Sequence, residues 1–122
     1  MAIIIKGLDS LMRKLDSMGG NVLDALDNAV KQTSLYAQGE ARANAPVDTG
    51  ALKGSISTEF DRNAESATGT VYTNVEYGLY QEMGTVNMPA HPFMVPAAKA
   101  SENVFEHNAK NELEKAIRKA AK

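Results

Sequence analysis

The feature that most constrains this chain is a change of hydrophobic period at Pro46. Ahead of it, Val22, Leu26, Ala29, Val30, Ala37 and Ala41 recur on one face of a helix. Behind it, Leu52, Ile56, Thr58 and Phe60 fall on one face at period two, and Val71, Thr73 and Val75 do the same within Thr70 to Val75. Proline disfavours the α conformation in the residue before it, so the helix has to finish near Asn44. A chain that passes from a long helix to a pair of strands within a few residues must fold as α+β, its sheet and helices closing on a shared apolar layer.

The remaining pattern fills in that architecture. Ala2 to Lys6 carries three consecutive isoleucines, which favour a strand, and Gly7 punctuates it. Leu8, Leu11, Met12, Leu15 and Met18 predict a short amphipathic helix stopped by Gly19-Gly20, and Asn21 stands as the candidate N-cap of the long helix. The polar stretch Asp61 to Gly69 predicts an exposed hairpin loop able to reach a neighbour. Tyr77, Tyr80 and Met83 predict one or two helical turns ending at Gly84, and a loop with Pro89 and Pro92 follows. Pro96 then opens a C-terminal helix whose inner face is traced by Ala97, Ala100, Val104, Phe105, Leu113, Ala116, Ile117 and Ala120. The expected fold is a small antiparallel sheet, the N-terminal strand plus a hairpin, packed against a long helix and a C-terminal helix. At 122 residues the chain is expected to form one domain over 1–122.

Composition removes several function classes. A net charge of -2 argues against a protein whose main work is neutralising a phosphate backbone. The cations from Lys110 to Lys122 are interrupted by Glu112 and Glu114 and lack interleaved aromatics, so nucleic acid is disfavoured as a partner. Cysteine is absent, which rules out disulfides and thiolate chemistry and suits folding in a reducing cytoplasm. The Ala2 to Ile5 run is too short for a signal-peptide core, and no stretch approaches the length of a membrane span.

The search for catalysis also ends without a constellation. His91 and His107 lie in no metal-ligand spacing, Ser55 and Ser57 in no nucleophile motif, where strand hydroxyls facing water are the simpler reading, and Gly50 and Gly54 in no phosphate-binding fingerprint. A hydrolase using Glu40, Glu82 or His91 would need those groups to converge in a pocket. No enzyme activity, metal or cofactor is expected. What stands out is loop chemistry: Ala45 to Gly50 makes a helix-to-strand corner that could present Asp48 and Thr49 to a partner, and Tyr77 to Phe93 gathers aromatics and methionines around prolines.

Three blocks in these regions carry a resemblance to a known family. Ala45-Pro46-Val47-Asp48-Thr49-Gly50-Ala51-Leu52-Lys53-Gly54-Ser55-Ile56, Tyr77-Gly78-Leu79-Tyr80-Gln81-Glu82-Met83-Gly84-Thr85 and Ala90-His91-Pro92-Phe93-Met94-Val95-Pro96-Ala97 resemble, in order and spacing, the head-to-tail joining or tail-completion proteins of long-tailed bacteriophages and prophages. His91 stands where that family favours arginine, Met83 where phenylalanine is usual, and Gly78 where alanine is commoner. The resemblance implies a structural virion protein at the neck, made in the host cytoplasm and built from several copies as a ring, with six the number it suggests. It also implies tail terminator or tube and head-connector proteins as partners. The interface or motif residues it marks are Pro46, Asp48, Thr49, Gly50, Tyr77, Tyr80, Glu82, Gly84, Thr85, His91, Pro92 and Phe93; ring subunits need two different surfaces for their neighbours, and the hairpin loop and the proline loop are the candidates. Competing readings are another neck role such as terminator or adaptor, the small hydrolase, and an accessory protein binding the end of the genome through Lys110 to Lys122.

Overall fold

The computed structural model describes residues 1–6, 21–45, 50–63 and 66–120. Its elements are β1 (Ala2–Lys6), α1 (Asn21–Asn44), α2 (Gly50–Ser55), β2 (Ser57–Arg62), β3 (Ala67–Tyr72), α3 (Glu76–Met83) and α4 (Met94–Ala120). The helix expected over Leu8 to Met18 lies outside the described residues. The three strands form an antiparallel sheet in the order β1-β3-β2, with Val71 opposite both Ile3 and Thr58. The architecture is the expected one, α+β with a small sheet packed on a long helix and a C-terminal helix.

Period two explains the sheet. Ala67, Gly69 and Val71 alternate toward the helices and are buried, while Thr68, Thr70 and Tyr72 alternate away. Helix α1 crosses β3 so closely at Gly69 that no side chain fits there; an added Cβ would stand 1.9 Å from Ser34 Oγ. All six positions that trace the apolar face of α1, Val22, Leu26, Ala29, Val30, Ala37 and Ala41, are buried. Its end agrees with the constraint from Pro46, for α1 stops at Asn44.

Helices α1 and α4 run antiparallel, because Ala37, Ala41 and Ala45 share a cluster with Met94 and Ala97 while Val22 and Leu26 share another with Ala109 and Leu113. Their seam departs from the expected apolar face. It is built from Ala97, Ser101, Asn108, Glu112 and Ala116, whereas Ile117 is 61% exposed and Ala100, Val104, Phe105 and Leu113 are only half buried. Polar residues are tolerated there because each meets a partner: Gln32 Nε2 donates to Glu112 Oε1 at 2.9 Å and Asn108 Nδ2 to Thr33 Oγ1 at 3.2 Å, while Ser101 Oγ donates to the Ala97 carbonyl at 2.7 Å. The Gln32 hydrogen bond, with Lys115 nearby, holds the Glu112 carboxyl below its usual range despite partial desolvation.

Four local expectations are corrected. Leu52 to Ser55 is helical rather than extended: Leu52 and Ile56 are four apart, a spacing that fits either period, and both are fully buried from a short helix followed by a strand starting at Ser57. Ser55 does not face water; its hydroxyl donates to the Leu52 carbonyl at 2.7 Å and shares a 2.6 Å hydrogen bond with Thr73. Strand β3 stops at Tyr72 rather than Val75, because Thr73 Oγ1 turns to accept the Val75 N–H at 3.2 Å. The hairpin loop is also shorter than expected. Strands reach Arg62 and resume at Ala67, and the connection closes with Asn63 N–H on the Ser66 carbonyl and Ser66 N–H on Asn63 Oδ1, both at 2.9 Å. Arg62 then ties the end of β2 to α1 through Asp24 at 2.6 Å and Asp27 at 3.3 Å.

Candidate functional site

The three sequence blocks meet at one place. A methyl group on Gly78 would lie 3.1 Å from Leu52 Cδ1, 3.2 Å from Thr73 Cγ2 and 3.5 Å from Phe93 Cζ. The first block reaches this point through Leu52, the second through Gly78 and the third through Phe93, and both large side chains are fully buried. Arg42 braces the approach from α1 by donating Nε and Nη2 to the Ile56 carbonyl at 3.2 and 2.7 Å.

On this base α3 presents two unlike sides. Gly78 and Gln81 face inward, while Leu79, Tyr80 and Met83 face out, Met83 being 72% exposed. Glu82 lies between them and reaches to the start of α4. Its Oε1 accepts the N–H groups of Phe93 at 3.1 Å and Met94 at 2.7 Å, and its Oε2 accepts that of Val95 at 3.3 Å. The next residue, Pro96, has no N–H to satisfy. A carboxylate from α3 and a proline in α4 thus dispose of the donors that a helix start leaves without intrahelical partners, and the negative charge meets the positive end of the α4 dipole.

Glu82→Ala should therefore cost about 2 kcal/mol of stability, the upper range of a lost helix cap. Glu82→Gln, which keeps an acceptor oxygen but not the charge, should fall between. Urea unfolding of the two variants would show it, and equal midpoints for parent and alanine variant would remove this role.

The loop after α3 is held as firmly. Gly84 adopts φ 77° and ψ 172°, a region open essentially to glycine. Beyond it Thr85 and Met88 exchange backbone hydrogen bonds at 2.8 and 3.2 Å, and the His91 N–H donates to the Gln81 carbonyl at 2.7 Å. The tip between them projects Val86 wholly into solvent. With Leu79, Tyr80 and Met83 it leaves an apolar strip outside the core.

The structure sorts the residues singled out from the sequence into several roles. Glu82, Gly84 and Phe93 build the platform: a cap, a turn and a core side chain. His91, Pro92, Thr85 and Tyr80 lie on its surface, Tyr80 donating its hydroxyl to Glu76 at 3.4 Å. Tyr77 belongs to α3 by its backbone. Gly50 opens α2 and is exposed, whereas Pro46, Asp48 and Thr49 lie outside the described residues. No set of three or more metal-ligating side chains gathers among the described residues. Among them, no helix is long and apolar enough to cross a membrane.

Two features escaped sequence reasoning. One is Val86, whose visible sign is an apolar residue at the tip of a polar loop. The other is a groove of about 550 Å³ between β1 and α4, lined by Ile3, Ile5, Val95, Ala98 and Phe105 among others. The run of three isoleucines in one strand carries its signal, for alternation turns Ile3 and Ile5 toward the helices, where they line the groove, and leaves Ile4 on the far face, 64% exposed.

Residues 9–84 match the family described as "Bacteriophage HK97-gp10, putative tail-component". The first two blocks fall within the match and the third lies beyond it. No curated protein and no solved structure matches the chain.

Proposed function

The chain belongs to the HK97-gp10-like family of bacteriophage tail components, and from that premise we propose that it completes the tail and joins it to the head, several copies assembling as a ring at the neck. As a tail component it belongs to the virion, among other phage structural proteins. The proposed work is contact rather than chemistry. The observation that carries this reading is the strip of Leu79, Tyr80, Met83 and Val86, which stays exposed although the backbone beneath it is fixed by Glu82 and Gly84. A rigid, apolar, outward surface is what a subunit needs if its neighbours are to complete its burial. Tail terminator or tube and head-connector proteins are the neighbours this position implies, together with other copies of the chain.

The hydrolase alternative loses support from the same geometry. The Glu82 carboxylate is occupied by three backbone N–H groups, so it is a poor candidate for proton transfer. Electron microscopy of particles from a phage carrying a stop codon in this gene tests the proposal. Filled heads beside separate tails of normal length are expected. Intact infectious particles would show that joining does not depend on this chain.

A further inference from the structure

The sheet is narrower than the helical layer beneath it. Two packed helices span about 20 Å, whereas three strands span about 14 Å, a shortfall of about one strand. The gap has a definite place. Helix α1 lies beneath β3 and contacts both outer strands, while α4 reaches the sheet at β1. Val95, Ala98, Glu102 and Phe105, a single stripe along α4, therefore continue past the β1 edge as the floor of the groove.

We infer that this groove receives strand β2 of a second copy of the chain, which pairs with β1 and carries the sheet from subunit to subunit. The inference rests on the ring assembly proposed above and names its contact. Among the described residues, strands β1 and β2 are the outer strands of the sheet, and both run antiparallel to β3, so they run parallel to each other. Rotation about an axis along the strands preserves that direction and brings β2 of one copy beside β1 of the next as a parallel pair, a heterologous contact of the kind that closes rings. Helices α1 and α4 then stay on one side of the sheet throughout.

Side chains agree with this pairing. Thr58 bonds Gln38 and Arg62 bonds Asp24 on α1, so Thr58, Phe60 and Arg62 share the helix-facing side of β2. Phe60 is on that side yet 43% exposed, because the sheet ends beside it. Added next to β1, the same side points Phe60 into the apolar groove. Aligning the centres of the five-residue β1 and the six-residue β2 leaves two registers half a residue either side, and keeping the helix-facing sides together selects the one with Ile5 beside Phe60, Ile4 beside Glu59 and Lys6 beside Asp61, so that an aromatic anchor and a pair of opposite charges both fall into register. Pairing also covers two sheet edges that would otherwise invite unspecific association.

Disulfide mapping tests the contact, since the chain has no cysteine of its own. A variant carrying both Ile4→Cys and Glu59→Cys, oxidised as concentrated protein and in purified particles, should give a ladder of linked subunits that collapses on reduction. Each single variant should give none. A dimer from Ile4→Cys alone would mean symmetrical β1 to β1 pairing, and no ladder in either preparation would mean that these edges do not meet; either result overturns the inference. A second measurement separates it from the joining role. In a stop-codon phage complemented from a plasmid, Phe60→Lys should lower the titre at least 100-fold while its circular dichroism matches that of the parent. Full titre with Phe60→Lys, where the uncomplemented phage yields unjoined heads and tails, would refute the edge contact and leave the joining role standing. Joined, infectious particles without complementation would refute the joining role itself, and the ladder would still decide the contact.

Discussion

Replacing Gly69 with alanine should lower the unfolding free energy by about 3 kcal/mol, the upper end of the usual cost of overpacking a core. The new Cβ would stand 1.9 Å from Ser34 Oγ, 2.9 Å from Ser34 Cβ and 3.3 Å from Val30 Cγ1. Rotating the serine hydroxyl away does not help, because its Cβ is already too close and its Oγ is held by the Val30 carbonyl at 2.7 Å in a fully buried site. Helix α1 would have to lift from β3 and loosen its packing on the whole strand. Ser34→Ala removes the nearest atom and leaves the next, so in the Gly69→Ala background it should restore about 1 kcal/mol, whereas in the parent it should be mildly destabilising. Urea midpoints for the four proteins of this cycle provide the check. Strict additivity, or a Gly69→Ala midpoint equal to that of the parent, would mean that α1 and β3 are further apart than described.

That contact shows why parts of the fold were legible and others were not. The face of α1 could be read in full because a long helix with one apolar stripe repeats its signal over many turns. The strand it rests on could not. Gly69 has no room for a side chain because Ser34 and Val30 of α1 lie against it, and Ala67 is buried on the same side, yet among Ser66, Thr68 and Thr70 the sequence presents both as loop-like. A residue selected for close approach has the same composition as a residue selected for a turn. The seam of α4 hid for a related reason: Ser101, Asn108 and Glu112 look like surface residues until Thr33 and Gln32 stand opposite them. Periodicity reports how apolar a face is, but whether a polar face is satisfied depends on its partner.

The candidate site was legible as a set of blocks but not as a set of roles. Glu82, Gly84 and Phe93 belong to one platform, yet they build it from within, as a cap, a turn and a core side chain, instead of facing outward. Sequence reasoning counts a carboxylate as a possible contact or catalyst; it cannot see that three N–H groups 11 to 13 residues away will claim it. The outward features are the apolar residues at unlikely positions, Ile4, Phe60, Met83 and Val86.

Gly84→Ala should be the substitution that separates the platform from the rest of the fold, at a cost of about 3 kcal/mol from two sources. The first is conformational. At φ 77° and ψ 172° a side chain meets its own backbone, and no rotamer of alanine relieves it. The second is packing: the added Cβ would lie 2.8 Å from the Ala90 nitrogen and 3.0 Å from the Met88 carbonyl oxygen. Both are backbone atoms of the returning loop, so neither can swing aside as a side chain would. The chain must instead leave the turn, which breaks the pairing of Thr85 with Met88 and the bond from His91 to the Gln81 carbonyl. Because this loop is peripheral to the α1, β3 and α4 core, the helix signal in circular dichroism should be nearly unchanged while amide exchange at Thr85, Met88 and His91 rises sharply. Head-to-tail joining should fall with it, since Val86 and Met83 would no longer be held in one position. Glu82→Ala loosens the other end of the same platform, so the two substitutions combined should cost less than the sum of the two alone. Unaltered exchange at those three amides in Gly84→Ala would mean that the loop does not depend on this turn, and the rigid apolar surface proposed for assembly would lose its support.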